Sequence, residues 1–164
     1  MEIKLKIALV ELVRVVETDV PPRVVNPLSV SVQANVKKRL ILDLRYVNKF
    51  LRKMQIKYED WKTAMSYFSQ GAYMFSFDLK SGYLHIEIFE GHQTYLGFSW
   101  KHSNSNQVKL YVFTVLPFRL SSAPHVFTKI LTPLEQHWRH QGIALLFFLT
   151  TNGVLKRILK CAGL

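Results

Sequence analysis

The sequence predicts an α+β fold, and three observations carry that prediction. Short apolar runs rich in β-branched or aromatic residues, such as Leu40-Ile41-Leu42 and Ile143 to Leu149, read as strands. A stretch from Ala123 to about His140 opens behind Ser121-Ser122 and carries Pro124 in its first turn, the start signal of a long helix. Strands and helices mix without a β-α-β rhythm, which disfavours a parallel sheet with crossover helices. The 164 residues suit one domain or most of one. A domain of that length buries roughly two-thirds of the surface its unfolded chain exposes.

Taken in order, Glu2 to Glu17 is expected as an N-terminal helix within residues 1–20, ended by Asp19 to Pro22 because Pro21-Pro22 cannot continue it. Val24 to Val32 and Arg39 to Leu44 are expected strands. Tyr46 to Met54 reads as a short helix with Val47, Phe50 and Leu51 on one face, and Trp61 to Phe68 as a second. Ala72 to Leu79 reads as a strand ending at Asp78, with Ser81 offered as the cap of a following helical turn. Thr94 to Trp100 and Val108 to Val115 flank the polar loop Lys101 to Asn106 and predict a hairpin. Pro133 should kink the long helix. Val154 to Lys160 fits strand and helix equally.

The net charge is +11, from 22 Lys and Arg against 11 Asp and Glu, which favours a polyanionic partner, nucleic acid before membrane. The longest apolar run, Ile143 to Leu149, is too short to span a bilayer. A single cysteine, Cys161, in an expected frayed tail, excludes an internal disulfide and fits a reducing compartment, cytoplasmic or nuclear. Met1-Glu2-Ile3-Lys4 mixes charge into its apolar residues, unlike a secretory signal. P-loop, dinucleotide-binding and Ser-His-Asp patterns are not readable. His137 and His140, three apart with no acidic or thiol ligand near, read as a solvated helix face.

Three segments carry chemistry together. Phe77-Asp78-Leu79-Lys80-Ser81-Gly82-Tyr83 resembles the first palm motif of retrotransposon reverse transcriptases. Leu116-Pro117-Phe118-Arg119-Leu120-Ser121-Ser122-Ala123-Pro124 resembles the second, and Arg39 to Lys49 is similar to the family's fingers segment. Phe148-Leu149-Thr150-Thr151 lies where the third motif, aromatic-x-Asp-Asp, is expected. The resemblance covers roughly residues 20–151 and implies a polymerase fingers-and-palm fold, an antiparallel sheet with packed helices, over 21–151. Residues 152–164 are left as a divergent tail that matches nothing in the family, with no thumb expected after it.

The resemblance implies roles residue by residue. Asp78 matches the first metal-binding aspartate, and Thr150 and Thr151 stand where the other two belong. Arg39 matches the fingers arginine that contacts the incoming triphosphate; Lys37 and Lys38 before it read equally as point charges for phosphate or as a solvated charge cluster on a hairpin. Tyr83 matches the ring beneath the incoming sugar, or else packs in the core. Leu116, Pro117 and Phe118 match the lining of the nucleotide pocket. The family uses Mg²⁺, a hard cation that needs carboxylate oxygens to neutralise it. Threonine hydroxyls are neutral, and Glu135 is the last acidic residue, so no carboxylate follows to replace them. Arg119 stands where glycine is usual, and Val36 and Leu84 depart from the pattern too. These departures predict no useful polymerase activity and no productive Mg²⁺ binding. Three readings stay open: an inactive reverse transcriptase-like fragment, a non-catalytic nucleic-acid-binding module that takes primer-template, and a product of a decayed gene with no role.

Overall fold

The computed structural model describes residues 14–32, 38–56, 61–66, 70, 73–75, 79, 81–101, 106–149 and 155–161. The strands in chain order are β1 (Val15–Thr18), β2 (Leu28–Val32), β3 (Lys38–Leu42) and β4 (Tyr73–Phe75). They continue with β5 (Gly97–Lys101), β6 (Val108–Phe113), β7 (Ala144–Leu149) and β8 (Leu155–Cys161). The helices are α1 (Arg45–Asn48), α2 (Trp61–Ser66), α3 (Glu90–Gln93) and α4 (Ala123–His140), with a 3₁₀ turn at Gly82–His85. The strands of all three sheets pair antiparallel, which is compatible with the α+β class.

The chain divides into two compact units, each drawn from two stretches. The first takes Met1–Lys53 and Tyr83–Ala123. Its sheet runs β1-β6-β5, with the β2-β3 hairpin as a separate pair. β5 and β6 form the expected hairpin, Gly97 opposite Val112 and Lys101 opposite Val108. Phe98 on β5 stacks on Tyr111 of β6 at 5.4 Å between ring centres and meets Phe113 edge-on at 5.7 Å. Around them close Leu40, Leu42, Leu44, Val47, Leu84, Leu96 and Val115, all buried. A fully buried Phe such as Phe98 stabilises by about 1.5–3 kcal/mol. Gly97 is required where β5 begins, since a Cβ there would lie 2.4 Å from the Pro22 Cβ and 2.8 Å from the Val24 carbonyl oxygen.

The second unit takes Met54–Gly82 and Pro124–Leu164, and its sheet runs β4-β8-β7. α4 spans 18 residues and continues through Pro133. It ends in a Schellman motif, with Gly142 at φ 78°, its N–H donating to the Arg139 carbonyl and that of Ile143 to the Trp138 carbonyl. Glu135 and Arg139 pair across one turn at 2.6 Å, and Arg139 Nη2 reaches the Leu145 carbonyl at the start of β7.

Several expectations change. The helix expected over Glu2 to Glu17 fails at its C-terminal end. Val15–Thr18 is a strand, because β-branched Val15 and Val16 pair with Phe113 and Val112 of β6; residues 1–13 lie outside the described residues. The helix expected from Tyr46 to Met54 stops at Asn48, tightened by a Phe50 N–H bond to the Val47 carbonyl. Phe50, expected inward, is exposed. Ser81 is no conventional cap, since its φ of 55° lies in the left-handed region. The expected tail 152–164 supplies β8, the middle strand of its sheet, so Cys161 is paired opposite Tyr73 rather than frayed.

Candidate nucleic-acid interface

In the first unit the residues after the first motif and those of the second come together. The 3₁₀ turn Gly82–His85 is followed by Ile86 to Ile88, which pairs with Thr114 to Leu116. Ile88 N–H donates to the Thr114 carbonyl and Leu116 N–H to the Ile86 carbonyl, each at 2.8 Å. That ladder fixes Tyr83 against Phe118, ring centres 5.5 Å apart. Tyr83, Leu116 and Pro117 are buried and Phe118 is half-buried. Of the nucleotide-pocket candidates, these four therefore form one cluster, with their apolar surface turned into the protein in this conformation.

Sequence reasoning missed the residue that holds the cluster's loop. Asn48, at the end of α1, donates from Nδ2 to the Arg119 carbonyl at 2.9 Å. Its Oδ1 accepts from the Ser121 N–H, also at 2.9 Å. One side chain thus ties the fingers-like segment to the second motif. The signal available was a lone amide beside the apolar Val47, within a segment already singled out. Arg119, between the two bonds, sits at φ 71° with its side chain exposed. This gives the physical reason for glycine at that position, since only glycine takes a left-handed backbone without steric cost.

Charge around α1 is arranged locally. Arg45 clamps Asp43 in a fork, Nε to Oδ1 at 2.9 Å and Nη2 to Oδ2 at 2.6 Å, and adds its backbone N–H at 3.2 Å. These bonds hold the Asp43 carboxyl below its usual range, with Arg119 contributing at longer range. Asp43 in turn raises Arg45. Burial pushes the Tyr111 hydroxyl up, with Glu17 adding to it.

Lys38 and Arg39 open β3, their backbones opposite Val32 and Ser31. Lys37, Asp78, Thr150 and Thr151 lie outside the described residues. The second unit shows the described neighbours in sequence of the last three. Gly82 packs so closely on α4 that a Cβ would come 2.7 Å from Phe127 Cζ. β4 pairs antiparallel with β8, Tyr73 opposite Cys161 and Phe75 opposite Leu159. It therefore runs toward the end of the sheet where β7 and β8 are joined, their last pair being Leu149 and Leu155. Among the described residues, no three His, Cys, Asp or Glu come together in a way that could hold a metal ion.

No family model matches the chain. Over 112 residues, 68% of its length, the chain is 30% identical to the Retrovirus-related Pol polyprotein from transposon 412 of Drosophila melanogaster. It spans 9% of that polyprotein. Fold and similarity together describe a small antiparallel α+β segment, and the similarity points to a retroelement origin. Among the described residues, no helix is long and apolar enough to cross a membrane.

Proposed function

We propose that this chain is a reverse transcriptase-like fingers-and-palm segment of a retroelement, one that binds nucleic acid without adding nucleotides. The observation that carries the reading is the direction of β4 in the β4-β8-β7 sheet. β4 heads for the end at which β7 and β8 connect, and Asp78 follows it by three positions in the sequence while Thr150 and Thr151 open the connection. A polymerase palm needs carboxylates from those two places to meet over paired cations. The motif order and the identity to a Pol polyprotein support the same ancestry. With threonine at two of the three positions, the charge of two cations and a triphosphate is not neutralised, so synthesis is lost. Binding does not need the metals, because phosphates are held by the basic surplus of +11.

The test is a thermal melt of the purified chain with and without a primer-template RNA–DNA duplex, beside a primer-extension assay with Mg²⁺. A cooperative transition raised by duplex, with no extension, is the expected result. Extension by the chain as it stands would remove the claim of inactivity. A broad transition indifferent to duplex would remove binding and leave a gene product without a role.

A further inference from the structure

We infer that Tyr46 and Phe50 form a stacking platform for single-stranded nucleic acid. This rests on the nucleic-acid-binding reading above and names where on the chain a strand is held. The two residues lie four apart on and just after α1, and so share a face. Their rings meet edge to face at 5.2 Å between centres. Tyr46 is 57% exposed and Phe50 73%, although Val47 between them is buried in the core. An ordered aromatic pair left in water is a binding feature more than a packing one.

The surroundings select the occupant. From Leu44 to Ile56 the chain carries Arg45, Lys49, Arg52 and Lys53 and no acidic residue. All four cations are exposed. The nearest carboxylate in sequence, Asp43, is already bound by Arg45 and also lies in the field of Arg119. Arg45 is neutralised by Asp43, so the patch joins flat apolar faces to the positive charge of Lys49, Arg52 and Lys53. A single strand supplies both complements at once, unpaired bases for the rings and phosphates for the cations. A duplex hides its base faces in the stack, so it satisfies only the charges. The platform stands on the same helical turn whose Asn48 fixes the Arg119–Ser121 loop, so a strand lying there runs beside the second motif.

The measurement is fluorescence anisotropy of a labelled oligothymidylate and of a labelled blunt duplex, titrated with the wild-type chain and with Tyr46→Ala/Phe50→Ala. The double variant is expected to bind the single strand roughly tenfold or more weakly while its duplex affinity and melting temperature stay unchanged. Tyr46→Trp/Phe50→Trp, which keeps both ring faces, should retain single-strand affinity. Equal single-strand affinity in the wild type and the alanine variant overturns the platform. Wild-type binding to duplex but not to single strand also overturns it, and leaves the proposed function standing. Wild-type binding to neither overturns both.

Discussion

Arg119 carries the clearest conflict between a residue and its backbone. Its φ of 71° lies in the left-handed region. A side chain there costs about 1–2 kcal/mol. Glycine removes that cost but gives back about 0.5–1 kcal/mol through the freedom of the unfolded chain. Arg119→Gly should therefore stabilise by about 0.5–1 kcal/mol, read as a higher urea midpoint with an unchanged slope. The Asn48 bond survives in that variant because it uses the Arg119 backbone carbonyl. Asp43 gives a prediction with a pH sign. Its carboxyl is lowered in the folded state, first by the Arg45 side chain and then by the Arg45 N–H. Its contribution is therefore present above the ordinary carboxylate range and is lost as pH falls through the lowered value. Asp43→Asn should slightly lower the urea midpoint near neutrality, and the gap to wild type should narrow as pH falls through the lowered value; a gap that widens in acid would contradict the pairing. At this scale the sequence told residue type but not conformation. It marked Arg119 as a departure from glycine, yet the left-handed φ is a property of the loop that Asn48 holds. Tyr83 was legible as either a ligand-facing ring or a core ring, and its position 5.5 Å from Phe118 under the 86–88 ladder is set by pairing far along the chain.

Elements were legible where local pattern and tertiary pairing agree. The β5-β6 hairpin announced itself through a polar loop between two apolar runs, and the start of α4 through Ser121-Ser122 ahead of Pro124. β8 did not, because Leu155, Ile158 and Leu159 suit a helical face as well as a strand, and only β7 and β4 on its two sides decide the matter. β1 was hidden by apolar residues placed all round, and β6 selects its extended form. α3 begins at Glu90-Gly91 and was missed because glycine is a poor helix residue and four residues show no periodicity. The Asn48 bridge is the element-scale feature most open to test. Asn48→Ala removes both bonds to the 119–121 loop and leaves the Arg119 carbonyl and the Ser121 N–H to find water. The expected loss is about 1–2 kcal/mol. Hydrogen exchange at the Ser121 amide should quicken more than at amides of the β5-β6 ladder. Uniform quickening across both would mean that the bridge supports the whole unit rather than that loop.

Across the whole molecule, what the sequence could not convey was connectivity. Each compact unit is assembled from two stretches far apart in the chain, and no local pattern states that β4 and β8, some eighty residues apart, lie side by side. On the proposed palm reading, that pairing bears on Asp78, Thr150 and Thr151. If β4 delivers Asp78 to the end of the sheet where Thr150 and Thr151 follow β7, the chain has lost charge at a place built to gather it. The wild-type melting temperature should then be indifferent to Mg²⁺. Thr150→Asp/Thr151→Asp should be less stable without divalent ions, because three carboxylates brought together repel. Added Mg²⁺ should reverse that loss and stabilise by about 1–3 kcal/mol at saturating concentration, since it binds the folded state alone. Adding Asp78→Ala to the double variant should abolish most of the Mg²⁺ gain, which separates a shared site from general screening of charge. A restored pair that melts at the same temperature with and without Mg²⁺ would mean that the carboxylates do not converge, and the reading of this sheet as a palm would fall with it.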